Sequence, residues 1–181
     1  SNEAAGEYIS EEIVKVRGLW QSTKTPAERY KKLKALADDD EEKRFYEKDG
    51  YIFIKINGLR KYKHQFAHIG LGATYGATVV YIDADVAENE EDRRIVEQHE
   101  FEEIRQWESA LKNKNGDYRL GDRISSLSDA RGWMRSDLVE AVKWTEEFHR
   151  RANRVSDVAV LERKYGEESY SSGYEELSRK L

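Results

Sequence analysis

The sequence predicts an α+β domain, a small antiparallel sheet packed by helices. Two observations lead there. Apolar residues recur at helical spacing at both ends of the chain, while the middle is dense in aromatic and β-branched residues punctuated by glycine. The length of 181 residues suits one domain with a real core. Charged residues, at 37%, nearly equal the 38% that are hydrophobic, so the surface is heavily charged although the chain is not of disordered type.

Residues 1–10 read as a flexible lead-in, 11–166 as a single domain and 167–181 as a polar C-terminal extension. Within the domain, 11–48 is expected to be helical. Ile13, Val14, Val16, Leu19 and Trp20 form a first apolar set. Thr25-Pro26-Ala27-Glu28 is a capping box, with Thr25 as N-cap, Pro26 at the first helical position and Glu28 reaching back. A second helix then carries Tyr30, Leu33 and Leu36 and extends toward Phe45. The acidic run Asp38 to Glu42 reads as a solvated face or a break.

Residues 51–83 read as sheet. Lys48-Asp49-Gly50 is a turn signal, Tyr51 to Ile56 a strand, and Asn57-Gly58 a hairpin dipeptide. Leu59 to Ile69 is then the returning strand and Ala77 to Ile82 a third, running into Asp83. Gly70, Gly72 and Gly76 do not make a dinucleotide-binding fingerprint, because the third glycine comes one residue late and a strand follows. The spacing predicts a helix over 90–111, ended by Asn113-Lys114-Asn115-Gly116. A polar loop through Ser125, Ser126 and Ser128 follows, with no base beside these hydroxyls, and Ser136-Asp137 stands near the next helix start. A long helix over 138–165 has Leu138, Ala141, Val142, Thr145, Phe148, Ala152, Val155 and Ala159 as its apolar stripe and Gly166 as its terminator. Trp133-Met134 and Trp144 read as core or helix-docking residues.

The 90–111 helix carries the most informative chemistry. At about 100° per residue, Ile95, Val96, Ile104, Trp107, Ala110 and Leu111 share one half of the wheel, and His99, Glu100 and Glu103 fall in that same half. Glu97, Gln98, Glu102, Arg105 and Glu108 fall in the other. Burying titratable groups is costly unless they are paired or bind metal. A histidine and a carboxylate four residues apart can offer two ligands to one ion. The bland alternative is a buried polar pair, His99 and Glu103 bonding to each other or to Arg93, Arg131 or Arg135. On the following helix His149 lies within the apolar stripe and Glu146 on its edge. His64 and His68 have helical ligand spacing, but in an alternating strand they stand roughly 13 Å apart, too far to share an ion. Lys61 and Lys63 beside Tyr62, near Arg60, suit an acidic partner or a lysine-protected sheet edge.

With no cysteine, disulfides, thiolate catalysis and cysteine-ligated zinc are excluded, and any metal must be held by His, Asp and Glu. A net charge of −5 gives no support to nucleic-acid binding. No apolar run approaches the roughly 18 residues of a membrane span. A cytoplasmic location is favoured, while the Ser1-Asn2 start leaves open a removed leader.

The strand ending at Asp83, the His99-Glu100 helix after it and a later helix with another ligand resemble the minimal zincin-like metallopeptidases. The resemblance spans roughly residues 51–160, mostly as element order. In that family the metal helix carries His-Glu-x-x-His; the histidines bind zinc and the glutamate activates the zinc-bound water. Position by position, the resemblance implies His99 as a metal ligand and Glu100 as the catalytic base, with Glu103 standing where the second histidine would be. Glutamate is an acceptable zinc ligand. The third ligand is assigned to His149 from its inward position, with Glu146 as the alternative. Glu146-x-x-His149 also resembles the Glu-x-x-His element of two-metal helical bundles, with Glu100 and Glu103 as further carboxylates, but the strand-rich middle argues against a bundle. The expectation is a metal-dependent hydrolase of peptide bonds, using a divalent metal, zinc before iron or manganese, on a peptide or protein substrate. The contrasting expectation is a non-catalytic interaction or regulatory domain with a structural His/Glu cluster, which the replaced second histidine favours.

Overall fold

The two most continuous runs of branched and aromatic residues, Tyr51–Ile56 and Val79–Asp83, are the two central strands of the sheet. The computed structural model describes residues 11–39, 41, 44–63, 66–69, 79–115 and 138–166. Its strands are β1 (Phe45–Lys48), β2 (Tyr51–Ile56), β3 (Ala67–Ile69) and β4 (Val79–Asp83), in the spatial order β1-β2-β4-β3. β1 pairs antiparallel with β2, and β3 antiparallel with β4. The central pair is parallel, with Ile52 opposite Val79 and Ile54 opposite Tyr81.

Helices cover both faces, which is why the central strands show no polar alternation. Ile52, Ile54, Ile56, Val79 and Tyr81 face α1 (Glu11–Ser22) and α2 (Pro26–Asp39), meeting Val16, Leu33 and Ala37. Phe53, Val80 and Ile82 face a second helical layer. That layer contains α4 (Ala84–Glu88), α5 (Glu90–Asn115), α6 (Leu138–Val155) and α7 (Val158–Tyr165). Each fully buried Ile or Phe contributes about 1.5–3 kcal/mol. Among the described residues no helix is long and apolar enough to cross a membrane.

The α+β class with a small helix-packed sheet is the one found, and several elements differ in detail. Phe45 to Lys48, read as helical, is the edge strand β1. The hairpin closes at Asp49-Gly50, where both residues have positive φ (51° and 85°), the two-residue geometry whose twist suits paired strands. Asn57-Gly58 is a turn too, but it leads into a short helix, α3 (Leu59–Lys63), rather than a returning strand. Leu59 is buried on the α1/α2 side of the sheet. β4 takes the place beside β2 that a hairpin partner would have filled, and the strand after α3 is short and lies on the far side of β4. The capping box forms: Thr25 Oγ1 accepts from Glu28 N at 3.2 Å, and the Glu28 carboxylate reaches one residue further than expected, to Lys24 N at 3.1 Å.

The helix expected over 138–165 is two helices. Its stripe ends early: Ala152 is buried, but Val155 is 58% exposed and Ala159 exposed. Ser156 bonds back to the Ala152 carbonyl through both its N–H (3.1 Å) and its hydroxyl (2.7 Å), and α7 restarts after Asp157. Gly166, at φ +112°, does terminate α7. The readings placed on 1–10, Gly70 to Gly76, Ser125 to Ser128, Trp133-Met134, Ser136-Asp137 and 167–181 lie outside the described residues, as do the side chains of His64 and His68.

The passage from β4 to the metal-candidate helix is held by Asp83. Its Oδ2 accepts from Val86 N at 3.1 Å and caps α4, while its Oδ1 accepts from Arg60 N at 3.0 Å. Asn89 Oδ1 then accepts from Asp92 N at 3.0 Å at the start of α5. Asp83→Ala removes a cap and strands a part-buried N–H, so urea unfolding should show a loss of about 2–3 kcal/mol. A loss under about 0.5 kcal/mol would mean that Asp83 does not hold this junction.

Candidate metal centre

α5 and α6 lie side by side, joined by an aromatic cluster in which Trp107 meets Phe148 edge-on at 5.2 Å and Trp144 at 5.9 Å. One turn from these rings, the same two helices bring three ionisable side chains together. His99 and Glu103 come from α5, four residues apart, and His149 from α6. They are 0%, 6% and 9% exposed, and each offers a ligand atom within 4.8 Å of the other two. The apolar neighbours expected on this face are present, with Val96, Ile104 and Trp107 all buried.

Glu103 is the centre of the group. Its Oε1 lies 3.2 Å from His99 Nε2 and 3.1 Å from His149 Nδ1, and the two rings meet edge-on at 5.0 Å. Burial alone would raise the Glu103 pKa. The nearby His149 and His99 nitrogens outweigh that cost and bring it down to about 2, so the group is a carboxylate at neutral pH.

The tautomer of His99 follows from its other nitrogen. His99 Nδ1 lies 3.3 Å from Ser156 Oγ. A serine hydroxyl has one hydrogen, and Ser156 gives it to the Ala152 carbonyl at 2.7 Å. Toward His99 the same oxygen can only accept, so Nδ1 carries a hydrogen. A neutral His99 then has its lone pair on Nε2, directed at the Glu103 carboxylate. A lone pair facing a carboxylate at 3.2 Å is repulsive unless a proton or a cation lies between them.

The spacing suits a cation. For zinc–ligand bonds of about 2.0–2.2 Å, two donors of one tetrahedral ion stand roughly 3.3–3.6 Å apart. The two contacts to Glu103 are just shorter than that. Two imidazoles and one carboxylate are also a donor set that leaves zinc an open position.

Of the residues singled out in the sequence, His99, Glu103 and His149 are brought together. Glu100 is buried (2% exposed) and Glu146 half-buried, while the ligand-spaced group is His99, Glu103 and His149. Arg93, one of the arginines considered as a neutralising partner, donates instead to the Ala87 carbonyl at 3.4 Å; Arg131 and Arg135 lie outside the described residues. Sequence reasoning missed Ser156, although Ser156-Asp157 is a helix-start signature within what read as one helix. It also misplaced Glu97, which is 2% exposed and paired with Lys48 Nζ at 2.9 Å.

Comparison with known proteins returns no match: neither a family model, nor a curated protein, nor a solved structure is significantly similar to the chain. The zincin-like reading therefore rests on the resemblance in the sequence and on the group formed by His99, Glu103 and His149.

The tautomer is directly measurable. Long-range ¹H–¹⁵N spectra should show His99 protonated at Nδ1, and Ser156→Ala should lose that protected proton together with about 1–2 kcal/mol of stability. An Nε2–H tautomer with bare Nδ1 would overturn the assignment.

Proposed function

We propose that the protein is a metal-dependent hydrolase of zincin type, in which His99, Glu103 and His149 hold one divalent ion and Glu100 serves as general base in peptide-bond cleavage. Zinc fits best, ahead of iron or manganese, because the donors are borderline nitrogen and hard oxygen in a three-ligand set. The observation that carries the metal reading is the bond between His99 Nδ1 and Ser156, which turns Nε2 toward Glu103. Histidines that ligate metals characteristically donate their other nitrogen to such an outer partner.

When bound, the ion supplies Lewis acidity and makes water a nucleophile at neutral pH. The chain's own residues do the rest. Ser156 fixes the ring of His99, and Glu103 brings the negative charge that favours a cation here. Glu100 directly follows the first ligand, where the resemblance puts the group that takes up a proton. The substrate class, a peptide or protein, comes from that resemblance.

One observation favours a second reading, a non-catalytic interaction or regulatory domain. His99 and Glu100 are closed to solvent (0% and 2% exposed), as in a structural polar cluster. In that case the contact between His99 and Glu103 is a structural polar pair.

Elemental analysis of protein purified without a histidine tag separates the two readings. Near-stoichiometric zinc, iron or manganese, absent from a His99→Ala, Glu103→Ala double variant, is the expected result. Protein that stays empty after zinc or manganese is added would leave the polar-cluster reading standing. Ser156→Ala should weaken the metal affinity about 10–100-fold. With metal present, Glu100→Gln should lower turnover of an unstructured protein substrate by at least about 100-fold while leaving the metal content unchanged. Loss of metal from that variant would make Glu100 a ligand rather than a base.

A further inference from the structure

Asn57-Gly58 turns the chain from β2 into α3. Asn57 is exposed and Gly58 half-buried, with Gly58 at φ +75°. Glycine has no side chain, so its backbone nitrogen meets little obstruction on the way to the preceding side-chain amide. Two further features make this turn chemically unusual.

The first is a polarised amide. Arg44, the residue before β1, donates from Nη1 to Asn57 Oδ1 at 3.0 Å. A guanidinium only donates, so this contact fixes the oxygen as the atom that faces Arg44. Negative charge developing on Oδ1 meets a cation there, as charge on a tetrahedral intermediate does in an oxyanion hole. Arg44 is itself held beside the turn, because its carbonyl accepts from Lys55 N at 2.8 Å. The second feature is an uncommitted nucleophile. Among the described residues the Gly58 N–H makes no hydrogen bond, so its nitrogen gives up no such bond in reacting.

We propose that Asn57 is a self-modification site, at which the Gly58 nitrogen attacks Asn57 Cγ and Arg44 stabilises the charge that develops on Oδ1. The Gly58 nitrogen forms a bond to Cγ, and the bond from Cγ to the side-chain nitrogen breaks. That nitrogen leaves as ammonia with the Gly58 amide proton, and a five-membered cyclic imide remains. Water then opens the ring. Cleavage at Cγ gives aspartate, and cleavage at the main-chain carbonyl gives isoaspartate, with the backbone rerouted through Cγ. Isoaspartate lengthens the chain just before Leu59, which is buried, and Arg60, whose N–H bonds Asp83 Oδ1 at 3.0 Å. The modification therefore reaches the junction that Asp83 holds, and it needs no metal at the triad.

Arg44 as a mere brace for the turn predicts the opposite sign: removing it would loosen Asn57 and speed the reaction. The test is to incubate the full chain for weeks in neutral buffer and follow ammonia loss and isoaspartate formation by peptide mass mapping. Asn115-Gly116, the other asparagine-glycine pair in the sequence, serves as the reference. Asn57 is expected to convert no more slowly than Asn115 in the folded protein. Arg44→Gln should slow Asn57 about three- to tenfold and leave Asn115 unchanged, a smaller effect than a buried oxyanion donor gives because water screens the contact. Arg44→Lys, which keeps a cation, should retain most of the parent rate. In urea, parent and Arg44→Gln should convert Asn57 equally fast. The isoaspartate fraction should melt below the fresh protein. Asn57 that stays intact while Asn115 converts would overturn the proposal. So would an unchanged or faster conversion of Asn57 in folded Arg44→Gln.

Discussion

Helix α5 lies against the sheet with Asp92, Glu97, His99, Glu100 and Glu103 all closed off from water. An uncompensated charge in such a place costs several kcal/mol, so the position of this helix depends on partners brought from elsewhere. α7 supplies Lys164 Nζ and the Tyr165 hydroxyl to Asp92, at 2.7 and 2.6 Å. β1 supplies Lys48 to Glu97, and α6 supplies His149 to Glu103. Each pairing ties α5 to a different element. Together they fix its register against the sheet more tightly than non-directional apolar contact would. Breaking any one strands a charge, which is worse than never having buried it.

What was legible in the sequence follows from how local each feature is. His99, Glu100 and Glu103 stood out because their helical neighbours are apolar, and His149 because it interrupts an apolar stripe. Glu97 falls on the charged half of the same wheel, and its burial depends on Lys48, which is 49 residues away. Two turn dipeptides were visible, Asp49-Gly50 and Asn57-Gly58, and nothing local says which one closes a hairpin. The answer lies in β4, which pairs with β2 from across the sheet. Ser156 was hidden by the same kind of limit. The apolar period carries past it, and only the bond to His99, 57 residues away, gives the helix break a purpose.

The cluster can be closed by a proton or by a metal ion, and the two differ in charge. A proton on His99 Nε2 sets one imidazolium against one carboxylate, a neutral and self-contained pair. A divalent ion with Glu103 leaves one positive charge, which the carboxylate of Glu100 on the same turn of α5 would balance.

Glu103 in place of a second helical histidine need not mean that the chemistry is gone. The count of donors matters more to an ion than which helix provides them. With His149 arriving from α6, the triad still has two imidazoles and one carboxylate, a composition that serves catalytic zinc. The carboxylate stands on α5 and the second imidazole on α6. The shift puts Glu103 at the centre of both contacts, 3.2 Å from one histidine and 3.1 Å from the other. The site therefore depends on the α5–α6 packing that Trp107, Trp144 and Phe148 maintain. A helix carrying both histidines would keep two ligands through a loss of that packing; this arrangement keeps one histidine and one carboxylate on α5 and loses the third donor with the interface.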